Sequence, residues 1–195
     1  MLKFISFGSG SSGNCYYFGT ATDGLFVDIG VGIRTLKKHA RDYGINLSLV
    51  RRILITHDHA DHIKSAGAFS HDYNVPVYAT EKVHTGIEHN YCVQRKLSKE
   101  HKLFLEPGTT VRLGDFLVTP FSVPHDASEN VGYKIEVDDL VFVIMTDAGS
   151  VTEEMKGYIS EANYLVIEAN HDVEMLQSGP YPQYLKERII SPNGH

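Results

Sequence analysis

The stretch Ile53-Leu54-Ile55-Thr56-His57-Asp58-His59-Ala60-Asp61-His62 constrains the fold of this chain more than any other. Three successive apolar residues read as a strand buried on both faces. Directly after them come three histidines and a non-adjacent aspartate: His57, His59, Asp61 and His62. Imidazole nitrogens and carboxylate oxygens suit Zn²⁺ and, less selectively, Mn²⁺ or Fe²⁺. His57 and His59 alternate, so both can face one ion. Asp61 and His62 come after the chain turns and can face a second. One helix face would not collect these four side chains, whereas a loop from a strand into a helix can.

The rest of the pattern interleaves strands and helices. Strands are predicted over 2–7, 14–20 and 25–27, a meander that precedes any helix. Apolar groups at 33, 36, 40 and 43 have helical spacing, and Gly44 suits the C-terminal cap. A strand is predicted from Arg51 to Thr56, a small-residue helix from about Ile63 to Tyr73, and a short strand over 76–79. Thr80 can cap the helix that follows. Strands return from Leu103 to Val123, with turns at Pro107-Gly108 and Gly114-Asp115. Residues 131–137 and 140–146 read as a hairpin turned at Asp138-Asp139. A helix over 153–159, a strand over 164–167 and a last helix over 182–190 complete the pattern. It suits mixed sheets covered by helices.

Near the N-terminus Gly8, Gly10 and Gly13 spell G-x-G-x-x-G, and Asp28 stands where an acidic ribose ligand would sit. A dinucleotide site needs a helix opening on the glycines. Here Cys15-Tyr16-Tyr17-Phe18 follows instead, which reads as a strand. The glycines are read as a loop between paired strands.

The 195 residues suffice for one substantial core. No apolar stretch is long enough to span a bilayer, and the N-terminus lacks the features of a signal peptide. Cys15 and Cys92 form no C-x-x-C pair and suggest no disulfide framework, so a reducing cytoplasm and two structural thiols are expected. The net charge of −6 does not advertise a nucleic-acid binder. It does not exclude one either, because metal ligands inflate the acidic count; Lys64, Lys96 and Lys99 are the lysines that would have to gather on one face. The 11 histidines are the anomaly, and several fall where strands end. His39, His71, His84, His89 and His101 lie in helical or polar stretches and are expected at the surface.

Further candidate ligands also follow strands. Residues 116–123 lead to Pro124-His125-Asp126, residues 140–146 lead to Asp147-Ala148-Gly149, and the sequence reaches Gly194-His195. His57-x-His59-x-Asp61-His62, followed by His125, Asp147 and a histidine preceded by glycine, resembles the metallo-β-lactamase fold superfamily. Asp28, after the third strand, is similar to its first motif. Within the superfamily the chain is similar to the WalJ/YycJ-type bacterial hydrolases. That likeness rests on F-G-S-G-S-S-G-N, I-T-H-D-H-A-D-H-I-K, T-D-A-G and the run Glu168-Ala169-Asn170-His171-Asp172, ending in the G-H of a longer G-H-L-S pattern. It runs across the whole chain, and the last motif is cut short.

The resemblance implies an α/β (α+β) protein, a four-layer αββα sandwich forming a single domain over 1–195, truncated in its C-terminal part. It implies two divalent metal ions at one edge, Zn or Mn with Fe as an option. His57, His59 and His125 would hold the first ion, and Asp61, His62 and His195 the second. Asp147 would bridge, with Asp61 and Asp147 acting in catalysis and Asp28 orienting the His-rich loop from behind. Ser11, Ser12 and Asn14 could offer hydrogen bonds to an anionic group, or the loop could be structural only. His171 is expected in a hydrogen-bond network, with a substrate role as the alternative.

The implied activity is a metal-dependent phosphodiesterase on nucleic acid, of DNA exonuclease type. RNA is the weaker choice, because the insertions of longer RNA-processing relatives are absent. The alternatives are a thiolester hydrolase of the glyoxalase II type and a metal-binding protein without turnover. An antibiotic-hydrolysing lactamase fits less well, having a signal peptide and a cysteine at the Asp147 position. No membrane association is expected, and no protein partner can be inferred.

Overall fold

The computed structural model describes residues 1–168 and 172–194; the expectations for His171 and His195 therefore lie outside the described residues. The chain divides into two compact units, Met1–Glu106 and Pro107–His195, which meet in sequence at the expected Pro107-Gly108 turn.

The first unit carries one six-stranded mixed sheet in the order β1 to β6. Its strands are β1 (Lys3–Gly8), β2 (Cys15–Gly19), β3 (Gly24–Val27), β4 (Val50–Leu54), β5 (Val77–Ala79) and β6 (Lys102–Phe104). The expected meander is there: β1 pairs antiparallel with β2, and β2 with β3. From β3 onward the pairs are parallel. The glycine-rich stretch is thus the hairpin loop between β1 and β2, and a strand rather than a helix follows it. Its core joins Phe7, Tyr17, Phe26 and Phe69, with Phe26 5.4–5.7 Å from the other three rings in edge-on contacts.

Helix α1 (Ile33–Asp42) buries Leu36 and Ala40, and Gly44 takes φ 63° just beyond it, as the spacing predicts. The predicted helix over 63–73 is instead two pieces, α2 (Ala60–Ile63) and α3 (Ala66–Tyr73). Ser65 makes the break: its N–H bonds to the Ile29 carbonyl and its hydroxyl to the Val31 carbonyl at 2.6 Å, away from any helical ladder. Helix α4 (Glu81–His89) is capped by Thr80, whose hydroxyl accepts from the Val83 N–H.

The second unit carries a five-stranded sheet in the order β11-β10-β9-β8-β7. Its strands are β7 (Val111–Leu113), β8 (Phe116–Ser122), β9 (Val131–Val137), β10 (Leu140–Met145) and β11 (Tyr164–Ile167). β8 and β10 both run antiparallel to β9, and β11 runs parallel to β10. The C-terminal ends of β8, β10 and β11 therefore share one sheet edge. Helix α5 (Glu153–Glu161) packs Met155 onto Phe121, Val123, Val143 and Met145. A helix absent from the sequence reading, α6 (Val173–Ser178), is capped by Asp172, and α7 (Gln183–Ile190) follows. Among the described residues no helix is long and apolar enough to cross a membrane.

One histidine departs from its expected surface position. His84 on α4 is 3% exposed, and its Nε2–H donates to the Leu103 carbonyl of β6 at 3.0 Å. Burial, seconded by the Lys102 charge, holds its pKa below the ordinary 6.5, against the pull of that carbonyl. As pH falls the unfolded chain protonates this ring before the folded one does. The stability held by the neutral ring is therefore present above pH 6.5 and lost as pH drops below it. Thermal denaturation of His84→Gln should show a smaller fall in Tm than the parent between about pH 7 and about pH 5; equal falls would contradict this assignment.

Candidate metal centre

The strand end of β4 sets the centre of the first unit. The ladder continues to Ile55, whose N–H reaches the Tyr78 carbonyl, and then stops. The next N–H, that of Thr56, turns to the side-chain Oδ1 of Asp28 at 2.8 Å. Asp28 follows β3 directly and adopts φ 57°, a left-handed backbone uncommon outside glycine. Four non-glycine residues take positive φ among those described: Asp28, Asn74, Asp138 and Asp147. Asn74 ends α3 and Asp138 turns the β9–β10 hairpin, ordinary places for such residues. Asp28 and Asp147 stand instead at strand ends among candidate ligands, where local strain is a pointer to function.

The buried Asp28 carboxylate organises two histidines. Its Oδ2 accepts from His62 Nδ1 at 2.8 Å, with both side chains fully buried. The Thr56 hydroxyl lies 2.9 Å from the same oxygen and 3.0 Å from His57 Nδ1. That hydroxyl has one proton, and an ionised carboxylate can only accept it. Thr56 therefore donates to Asp28 and accepts from His57 Nδ1–H. Both imidazoles carry their proton on Nδ1, which leaves each Nε2 as a donor of electrons. A carboxylate that fixes ring and tautomer in this way is the usual partner behind a histidine that binds metal.

The opening glycine loop fixes the same tautomer from the other side. Gly10 N–H donates to Asn14 Oδ1 at 2.9 Å, which assigns the other amide atom as Nδ2, and Nδ2 in turn lies 3.3 Å from the Gly10 carbonyl. The same Nδ2 lies 2.9 Å from His62 Nε2 and 3.4 Å from Asp61 Oδ2. A donating amide requires an accepting Nε2, in agreement with a proton on Nδ1. The Asn14 N–H bonds to the Asp61 carbonyl at 2.7 Å, and the Gly30 N–H to the Asn14 carbonyl. Gly30 packs so closely that any Cβ there would collide with the Asp61 backbone. The small residues of the loop thus let β2, the segment after β3 and the His-rich loop meet. Asn14 points inward to the histidine cluster. Ser11 and Ser12 stay on the loop, exposed.

His57 and His62 have ring centroids 4.0 Å apart, and His57 and His59 4.7 Å. A nitrogen of His57 comes within 4.8 Å of one on each of the other two. Asp61, in the first turn of α2, has Oδ2 3.6 Å from His62 Nε2. Three imidazoles, two with their tautomers set, and one carboxylate fit a divalent transition ion by donor type. Cys15 packs behind them; burial and then the Asp28 charge push its thiol well above its ordinary range, so it stays protonated and serves as packing.

The second unit gathers its candidates where β8, β10 and β11 end. The Gly149 N–H bonds to the Pro124 carbonyl, which ties the Asp147 loop to the His125 loop. Asp147 is 6% exposed with φ 55°, and its N–H donates to Glu168 Oε2 at 2.7 Å. Asn130 Nδ2 caps the carbonyls of Thr146 and Asp147. Beside His125, Asp126 holds Arg188 of α7 through both its Nε and a second guanidinium nitrogen, at 2.8 and 2.6 Å. Thr56, Asn130 and Glu168 carry no assigned role in the sequence reading. Asn130 and Glu168 have one signal, a polar residue directly before or after a strand; Thr56 falls inside the predicted strand and has none.

Residues 25–189, spanning both units, match the family model described as a β-lactamase superfamily domain. Over 194 residues the chain is 39% identical to a Bacillus anthracis protein named exodeoxyribonuclease YycJ, covering all of this chain and 72% of that protein. It is 37% identical, with the same coverage, to exodeoxyribonuclease WalJ of Streptococcus pneumoniae. Among solved structures, the metallo-β-lactamase fold protein YhfI of Bacillus subtilis superposes with a TM-score of 0.65 at 19% identity, over 84% of this chain and 66% of that one. At that identity the likeness shows the fold alone: the mixed α/β, two-sheet metallo-β-lactamase fold expected from the motifs.

Because Asp28 acts on His62 directly and on His57 through Thr56, replacing it should weaken any metal bound by both. Asp28→Asn is expected to lower Zn²⁺ affinity about 10- to 100-fold, and Thr56→Val, which cuts only the His57 arm, less. Competition with a chromophoric chelator reads both. Parental affinity in Asp28→Asn would show that the aspartate serves the fold and not the metal.

Proposed function

The chain belongs to the β-lactamase superfamily, and from that premise we propose that it is a dinuclear metal-dependent hydrolase that cleaves phosphodiester bonds of DNA from a strand end. The observation that supports the metal part is the Asp28 network, whose hydrogen bonds at Nδ1 leave the Nε2 lone pairs of His57 and His62 able to bind an ion. The DNA part rests on full-length likeness to two proteins named exodeoxyribonucleases.

In this reading His57, His59 and His125 would hold one ion and Asp61, His62 and His195 the other, with Asp147 shared between them. The imidazole-rich set suits Zn²⁺, and the carboxylates admit Mn²⁺ or Fe²⁺. When bound, two such ions supply charge against the phosphoryl oxygens and a water acidic enough to act as nucleophile at neutral pH. The protein's own part is orientation. Asp28 and Thr56 keep the protons on Nδ1, and Asn14 holds the Nε2 edge of His62, a position that a bound ion would take over. Glu168 and Asn130 hold the Asp147 backbone in the strained form that aims its carboxylate. A strained residue held by several hydrogen bonds loses little further freedom on binding. Two free cysteines accord with work in the reducing cytoplasm.

Purified protein should carry up to two transition ions per chain and shorten end-labelled DNA, with the rate falling as salt rises because phosphate contacts release counterions. Asp147→Ala should reduce cleavage more than about a hundredfold, the scale seen when a group stabilising developing charge is removed. Turnover of a thiolester with DNA untouched would favour the glyoxalase-type reading. Metal bound with no turnover of either would leave a binding protein.

A further inference from the structure

The first unit carries a groove of about 380 Å³ beside the His-rich loop, with Arg34, Lys64 and Arg95 on its rim and Ile33, Ala68 and Val93 among the residues beneath. Its construction follows from elements already described. Arg34 stands in the first turn of α1, and Lys64 caps α2 two residues beyond His62. Arg95 lies in the loop after α4. That loop can rest on α3 only because residue 67 is glycine: any Cβ there would run into the Arg95 carbonyl.

The charges of this rim are not spent on the protein itself. Arg34 and Lys64 are exposed and form no ion pair or side-chain hydrogen bond with any described residue. Arg95 meets Asp72 at 3.3 Å, in an exposed pair that Asp72 also shares with Lys37. Such a pair is worth little and releases its arginine readily. In a chain with 24 acidic and 18 basic residues, three cations around one groove form a local positive field against the overall balance. α1 adds the positive end of its dipole: Gly32 precedes it without any side-chain cap.

The groove begins where the His-rich loop ends: Lys64 and Ser65 of its wall follow His62 by two and three residues, and the Ser65 N–H bonds to the carbonyl of Ile29, next to Asp28. The groove wall also includes Cys92. A chain of phosphates leaving the metals along this face would meet Lys64 first and Arg34 and Arg95 beyond it.

We propose that this groove holds the sugar–phosphate backbone of the DNA strand adjoining the bond to be cleaved, with Lys64 and Arg34 on its phosphates and the apolar floor under its sugars. The proposal rests on the phosphodiesterase reading above, but its test separates the two. The double variant Arg34→Gln/Lys64→Gln, both at exposed positions, should keep the parental fold and metal content. Fluorescence anisotropy with a labelled single-stranded oligonucleotide at several salt concentrations should give a log–log salt slope shallower by roughly 1.4, two contacts at about 0.7 each. KM for the oligonucleotide should rise about tenfold or more, while turnover of bis(p-nitrophenyl) phosphate, too short to reach the groove, stays at the parental rate. A control, Lys3→Gln/Lys156→Gln, should leave slope and KM unchanged. An unaltered slope in the groove variant, or an equal change in the control, overturns the groove whichever way turnover goes. If the parent hydrolyses neither phosphodiester, the function reading fails, and the binding slope still decides whether the groove takes a strand. Inorganic phosphate competing as strongly per phosphate as the oligonucleotide would reduce the groove to an anion site and overturn the strand assignment.

Discussion

One buried carboxylate, that of Asp28, is the interaction on which the candidate site depends. It has no solvent access, and it takes hydrogen bonds from the Thr56 N–H, the Thr56 hydroxyl and His62 Nδ1. A buried charge is tolerable only when its lone pairs are filled in this way. The same bonds end the β4 ladder after Ile55 and turn the His-rich loop off the sheet. The residue sits in a strained backbone form to do so, which a glycine would adopt more cheaply but without the carboxylate. Fold and chemistry share one group here: removing it would free the loop and the tautomers together.

The second unit solves a similar problem with different atoms. Asp147 also leaves a strand end in the left-handed form, and there the fixing carboxylate belongs to Glu168, which takes the Asp147 N–H. In the first unit an aspartate side chain holds a neighbouring backbone; in the second a neighbour's side chain holds the aspartate's backbone. Both arrangements lie at the C-terminal ends of strands, the edge where α/β sheets present their ligands.

Much of this was legible in the sequence, for a physical reason. The strands of the meander, α1 with its Gly44, the β9–β10 hairpin and Thr80 as a cap all follow from local period and local hydrogen bonding. The density of candidate ligands from His57 to His62 marked the candidate centre, and Asp28, by the family resemblance, was expected behind it. What escaped depends on contacts distant in sequence. The break at Ser65 exists because the Ile29 and Val31 carbonyls lie beside it, and the burial of His84 because Leu103 returns to meet it. Asn14 reads as a rim residue in the sequence, but the Gly10 N–H turns its amide toward His62. Thr56 could not be distinguished from an ordinary strand residue without knowing that Asp28 lay across from it.

The central claim is a statement about protons: in the metal-free protein one aspartate places them on Nδ1 of both His57 and His62. Long-range ¹H–¹⁵N correlation spectra of ¹⁵N-histidine-labelled protein distinguish the two neutral tautomers directly, with His57→Gln and His62→Gln assigning the signals. The account predicts Nδ1–H for both rings at neutral pH, and loss of that preference in Asp28→Asn. A proton on Nε2 of either ring in the parent, or tautomers indifferent to Asp28, would contradict it.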